Sequence, residues 1–161
     1  KLALLFERYK HQLFSYFFRY CGSIQSSEDL VQNVFFRMLK YAHTYTGTGK
    51  FTTWMFQIAH NLAIDYYRKN KRYVYENQDE NRKDDSAGPG QQLVEKEETA
   101  LLRAALDKLK PQEREVLILA KYRELPYKEI GAILNCAEGT VKARVCRAMR
   151  SLQGMYQTLE K

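Results

Sequence analysis

Cysteine and histidine are scarce in this 161-residue chain, three of each, and neither is grouped for chemistry. Cys21, Cys136 and Cys146 form no CxxC pair and His11, His43 and His60 are scattered. A metal site is therefore not expected, and small buried thiols are the default. There is no disulfide framework, no signal peptide and no run of about 20 apolar residues, which points to a cytosolic protein. The chain begins at Lys1 rather than Met, as expected of a trimmed sequence. Clustered carboxylates, a nucleophile beside a base and a phosphate-binding loop are also missing, so neither catalysis nor a cofactor is expected. No stretch alternates with the two-residue period of a strand, and no internal repeat stands out. The expected class is all-α.

What the chain has is positive charge, unevenly placed. The net charge is +7. Residues 1–73 hold 11 Lys and Arg against 4 Asp and Glu, residues 74–99 hold 3 against 8, and residues 100–161 hold 12 against 7. Two basic blocks around an acidic stretch read as two small helical domains, 1–73 and 100–161, that both meet a polyanion. Blocks of roughly 60–70 residues bury small cores, marginal without a partner.

In residues 2–20, Leu4, Leu5, Tyr9, Leu13, Phe14, Phe17 and Phe18 recur at helical intervals, and Gly22 and Ser23 break that helix. Ser26 or Ser27 can cap a second helix running to about Tyr41, with Glu28 and Asp29 suiting its positive end. After a Thr- and Gly-rich loop, His43 to Lys50, a long helix is expected from Phe51 to Arg72. Residues 74–99, acidic and poor in apolar groups, read as a flexible linker. Helical pattern resumes at Leu93, and Pro111 opens a further helix at its first turn.

The block Leu125 to Leu152 (LPYKEIGAILNCAEGTVKARVCRAMRSL) reads as helix, tight turn, helix. Ile130, Ile133 and Leu134 form a buried face, Asn135 is a plausible left-handed stop, and Val141, Val145, Ala148 and Leu152 share one face of the second helix. Thr140, Ala143, Cys146, Arg147 and Arg150 point the other way, with Lys142 and Arg144 on the flanks. Small groups flanked by cations suit a helix in a major groove. An amphipathic hairpin with a solvated basic face is the plainer alternative.

Two more faces exceed the needs of a simple core. On the second helix Leu30, Val31, Val34, Met38 and Tyr41 form the core stripe, while Asp29, Gln32, Asn33, Phe36 and Lys40 lie opposite. An aromatic residue with a polar rim is the anatomy of a partner-binding patch, unless a helix of the same domain covers it. On the third helix, Trp54, Met55, Ile58 and Leu62 line one side and Phe56, Ile64 and Tyr67 another. Between them runs a polar stripe of Gln57, Asn61, Asp65, Arg68 and Arg72. Amides can pair with base edges and arginines can hold phosphates, while Tyr45, Lys50 and Phe51 in the preceding loop offer rings and charge for unpaired bases.

The segments Asp29 to Arg37 (DLVQNVFFR) and Phe51 to Asp65 (FTTWMFQIAHNLAID) resemble region 2 of the extracytoplasmic-function (group IV) sigma factors of bacterial RNA polymerase. Leu109 to Val116 (LKPQEREV) and the 125–152 block resemble region 4. The resemblance covers nearly the whole chain in order and spacing. It implies that Asp29, Gln32, Asn33 and Phe36, with Lys40 on the same face, dock on the clamp of the polymerase's largest subunit. It implies that Asn61 helps capture a flipped −10 base beside the Tyr45–Phe51 loop, and that the 140–150 face reads the −35 element as duplex. The linker would thread near the active-site channel, its acidity mimicking nucleic acid or merely solvating the segment. Core polymerase, promoter DNA both duplex and single-stranded, and an anti-sigma factor are the implied partners. No small-molecule substrate is implied, and the free protein is expected to be a monomer.

The chain departs from the family at three places. Ala137 stands where a Ser usually caps the recognition helix, Pro126 where a Ser often precedes the helix before it, and Cys146 where a larger or polar residue is common. The last leaves −35 preference and a redox role open. A stand-alone helix-turn-helix repressor or activator is the competing reading, and it needs neither the Phe36 face nor the Asn61 stripe; a helical adaptor that binds only protein is a third, and the two basic modules count against it.

Overall fold

The computed structural model describes residues 2–76 and 100–161. The expected linker, and the resumption of helix at Leu93, lie outside the described residues. Within them are seven α-helices and no strand.

Helix α1 (Leu2–Cys21) buries Leu13, Tyr16 and Phe17 completely. It stops at Gly22, whose φ of +72° is left-handed and whose N–H bonds Phe18 O at 2.8 Å. Helix α2 (Ile24–Lys40) is capped by Ser23, whose hydroxyl accepts from the Ser26 N–H at 3.2 Å. The expected cap at Ser26 or Ser27 is thus displaced to Ser23, and Glu28 and Asp29 lie beyond the first turn. Ser27 is instead fully buried, donating to Ser23 O at 2.6 Å. After a short 3-10 turn (Ala42–Thr44) comes α3 (Phe51–Glu76), which runs past the expected end at Arg72.

These three helices share Leu13, Tyr16, Phe17, Val34, Phe35, Met38, Met55, Phe56 and Ala59 as a core. Fully burying one such Leu, Met or Phe stabilises the fold by about 1.5–3 kcal/mol. Three expectations fail here. Leu4 is 75% exposed because it faces away from the packed side of α1, where Leu2, Leu5, Phe6 and Tyr9 lie; Tyr41, the C-cap residue of α2, is 42% exposed, and Tyr67 on α3 is 40% exposed. Phe35, beside the expected stripe, is buried.

The second module holds α4 (Ala100–Lys108), α5 (Pro111–Leu117), α6 (Tyr127–Leu134) and α7 (Glu138–Glu160). Pro111 begins α5 as expected. Unforeseen is a π turn over Ile118–Tyr122, where the Arg123 N–H reaches back to Ile118 O at 2.9 Å. Arg114 ties the turns together: it donates to the carbonyls of Leu106, Asp107 and Leu109 at 2.8–2.9 Å, occupying acceptors a helix end leaves free. It also donates to Tyr20 O at the end of α1.

Contrary to a small core in each block, one continuous hydrophobic cluster runs from Leu13 to Ala148 through both modules. Helix α1 packs on α4, α5 and the π turn, and α3 packs on α6. Among the described residues, no helix is long and apolar enough to cross a membrane.

Candidate nucleic-acid and polymerase interfaces

The turn between α6 and α7 is tight. Asn135 takes the left-handed conformation (φ 56°, ψ 52°) as expected, and the Cys136 N–H bonds Gly131 O at 2.9 Å. A Cβ on Gly131 would lie 2.6 Å from Cys136 O, so this close approach requires glycine. The approach seats Ile130, Ile133, Val141, Val145 and Ala148 in the core. It leaves Thr140, Lys142, Ala143, Arg144, Cys146, Arg147 and Arg150 all exposed on α7. Ala137 is the N-cap residue and supplies no side-chain bond, nor does Pro126 for α6.

On α2 the patch is open. Asp29, Gln32, Asn33, Phe36 and Lys40 are exposed, Phe36 by 66%, so among the described residues no other helix covers it. Leu39, not anticipated, adds a second bare apolar side chain at 59% exposure. It lies three residues from Phe36, and that spacing was the available signal. A groove of about 550 Å³ between α2 and α3 borders the patch, with Asp29, Asn33, Phe36 and Lys40 in its wall.

The stripe on α3 is only partly free. Asn61 and Arg68 are exposed. Asp65 is engaged by Arg37 at 3.3 Å, and Gln57 Nε2 donates to Ala132 O on α6 at 2.9 Å. Lys50 pairs with Glu129, also on α6. The side chain of Arg72 lies outside the described residues. Tyr45 and Phe51 do not stand alone as platforms: with Trp54 they form a ring cluster at centroid distances of 5.3–5.7 Å, and Tyr9 joins Phe51 at 5.5 Å. Beside Asn61 is a groove of about 460 Å³ lined by Arg37, Tyr41, Thr44, Trp54, Gln57, Ile58 and Asn61. Arg37, Tyr41 and Trp54 are candidates that sequence reasoning missed, since two of them read as core from their spacing.

Between the modules sits a polar cluster. Tyr16 donates to Glu115 Oε1 at 2.7 Å, and His60 Nδ1 lies 2.5 Å from the same oxygen. Glu115 is buried. Burial, and then the adjoining Glu115, push the Tyr16 hydroxyl well above the ordinary tyrosine range. Burial likewise raises Tyr20 and the Cys21 thiol. Of the three cysteines only Cys146 is exposed; Cys21 and Cys136 are half-buried rather than fully so. Among the described residues, no cluster of His, Cys, Asp and Glu is arranged to hold a metal.

Comparison with known proteins bears on both modules. The sigma-70 region 2 family matches residues 5–73, and the sigma-70 region 4 family matches residues 99–152. The RNA polymerase sigma factor YlaC of Bacillus subtilis is 30% identical over 152 residues, covering 92% of this chain and 88% of that protein. The ECF RNA polymerase sigma factor EcfG of Rhodopseudomonas palustris is 36% identical over 135 residues, covering 83% and 73%. In fold, the chain is similar to the sigma factor RpoE of Bartonella quintana, solved in complex with the anti-sigma factor NepR. That match has a TM-score of 0.77 at 24% identity and covers 96% of each chain. With both modules matched, in order, the chain belongs to the extracytoplasmic-function sigma factors of bacterial RNA polymerase.

Proposed function

We propose that this sigma factor divides its work among three faces. As a sigma factor it directs promoter-specific initiation by core RNA polymerase. The α2 patch of Asp29, Gln32, Asn33, Phe36 and Lys40, enlarged by Leu39, docks on the clamp of the largest subunit. The α7 face from Thr140 to Arg150 reads duplex −35 DNA: four cations hold phosphates, while Thr140, Ala143 and Cys146 let the helix approach the base edges. The groove beside Asn61 receives an unpaired −10 base, with Tyr41 and Trp54 as walls and Lys50 and Arg68 along the backbone path. Unpairing a base costs about a few kcal/mol, offset by its capture. No bond is made or broken by this chain, and its place of action is the bacterial cytoplasm, where the polymerase works. Residues 1–73 and 100–161 are the two working units, with 74–99 as the linker between them. An anti-sigma factor is a further partner, since the similar RpoE of Bartonella quintana was solved in complex with one.

The observation that carries the reading is the open Phe36 patch on the same chain as an exposed basic recognition helix. A stand-alone repressor needs only the second. The test is abortive transcription by bacterial core polymerase on random promoter fragments, with and without the protein. Initiation at a shared two-part element, only when the protein is present, is expected. Duplex binding without initiation would return the repressor to first place.

A further inference from the structure

The two aromatic walls of the groove beside Asn61 come from different elements and are tied together by one side chain. Tyr41 ends α2, and Trp54 lies near the start of α3. Thr44 closes the 3-10 turn between them. Its hydroxyl donates to Tyr41 O at 2.7 Å and accepts from the Trp54 indole N–H at 3.3 Å. Its backbone N–H bonds the same Tyr41 O at 2.9 Å. A hydroxyl has one proton to give, and here it goes to Tyr41 O. Toward Trp54 the oxygen can therefore only accept, the one role an indole N–H can use. The Trp54 ring also packs on Tyr45 and Phe51 at centroid distances of 5.3 and 5.7 Å. Such apolar packing is non-directional, whereas a hydrogen bond is not. Thr44 thus sets which way the indole edge points, and it lines the same groove as Tyr41, Trp54 and Asn61.

We infer that Thr44 is a positioning residue of the −10 groove: its hydroxyl ties the Trp54 indole to the backbone that carries Tyr41, and so presents a slot of fixed shape to an extruded base. The inference rests on the reading of that groove as the −10 base receptor. Walls held in place before the base arrives need no ordering at the moment of capture. Without the hydroxyl the indole is free to turn among its ring neighbours, and each capture must order it again. The loss falls on capture alone, since neither the Phe36 patch nor the α7 face includes Thr44.

Thr44→Val, which keeps the shape of the side chain and removes the hydroxyl, tests this in holoenzyme assembled from the full chain and bacterial core polymerase. The template is a promoter fragment recovered from the random pool with the wild-type protein. Thr44→Val should match wild type in core binding and −35 duplex binding, yet initiate about 3–10-fold less, as loss of one net hydrogen bond predicts. Thr44→Ser, which restores the hydroxyl, should recover most of that loss. Fragments with an abasic sugar at each −10 position of the non-template strand in turn supply a reading that general weakening of the fold would not move. At the captured position, and there alone, wild type and Thr44→Val should initiate equally, because no base remains to be held. Full initiation by Thr44→Val would overturn the inference, as would a parallel loss of core binding, failure of Thr44→Ser to recover, or a deficit unchanged at every abasic position. Asn61→Ala separates this from the reading beneath it. If Asn61→Ala loses initiation and Thr44→Val does not, the positioning role alone is wrong. If Asn61→Ala initiates normally, or wild-type protein recovers no promoter, the groove is misassigned and the inference falls with it.

Discussion

Ala137 begins the recognition helix without an oxygen to offer its free N–H groups. A hydroxyl there would accept from one of them, and such caps are worth about 1 kcal/mol. Ala137→Ser is expected to raise the melting temperature by a few degrees, on the order of 2–6 °C for a domain of this size. An unchanged melting temperature in thermal circular dichroism would show that the helix start is already satisfied. Tyr16 carries a different prediction. Its proton is held more tightly in the folded protein than in the unfolded chain. The stability this confers is complete below the ordinary tyrosine pKa, about 10, and is lost as pH rises beyond it. Denaturant midpoints should therefore fall steeply above about pH 10 and less steeply in Tyr16→Phe, where Tyr20 and the Cys21 thiol still contribute in this direction. At neutral pH the same substitution removes one of the two partners of Glu115, at a cost of about 1–2 kcal/mol. Equal alkaline slopes in the two proteins would contradict the assignment.

At the scale of elements, the faces proposed for polymerase and −35 DNA lie on α2 and α7, in different modules, so their substitutions should separate. Arg147→Ala should weaken −35 duplex binding by about 1–3 kcal/mol while core association is unchanged. Phe36→Ala combined with Asp29→Ala should do the reverse, read by duplex titration and by core-binding assay. Equal losses in both assays would undo the division of faces. These two elements were legible in the sequence because a 3.6-residue period fixes which side chains share a face: all seven −35 candidates and all five patch residues are exposed. The start of α2 was misplaced because three serines lie within five residues, and only backbone geometry selects Ser23. The π turn at Ile118–Tyr122 was illegible for a related reason: it adds one residue to a helical turn without altering the apolar run that covers it. Trp54 and Tyr41 read as core by spacing, yet they line the groove beside Asn61. Periodicity reports burial against a helix axis, and it does not report where a neighbouring helix ends.

Across the whole molecule, the contacts between modules join residues about 55–100 positions apart, as Tyr16–Glu115 and His60–Glu115 do. No sequence pattern encodes such pairings, which is why two modules were legible and their shared cluster was not. Sharing a core couples their stabilities. Leu117→Ala, in α5, should destabilise by about 2–5 kcal/mol. It should also shift the fluorescence transition of Trp54, the single tryptophan, on the other module. A Trp54 transition that stays put while helicity is lost earlier would show independent unfolding. The bare Phe36 and Leu39 side chains have one more consequence, in ionic strength. On the proposed division of faces, attachment to the polymerase through an apolar anchor would release few counterions, whereas the four exposed cations on α7 would displace them from phosphate with every contact. Raising salt from about 50 to 200 mM should thus loosen the grip on promoter DNA by orders of magnitude and leave attachment to core nearly intact. The subunit would stay on the enzyme while the enzyme lets go of the template.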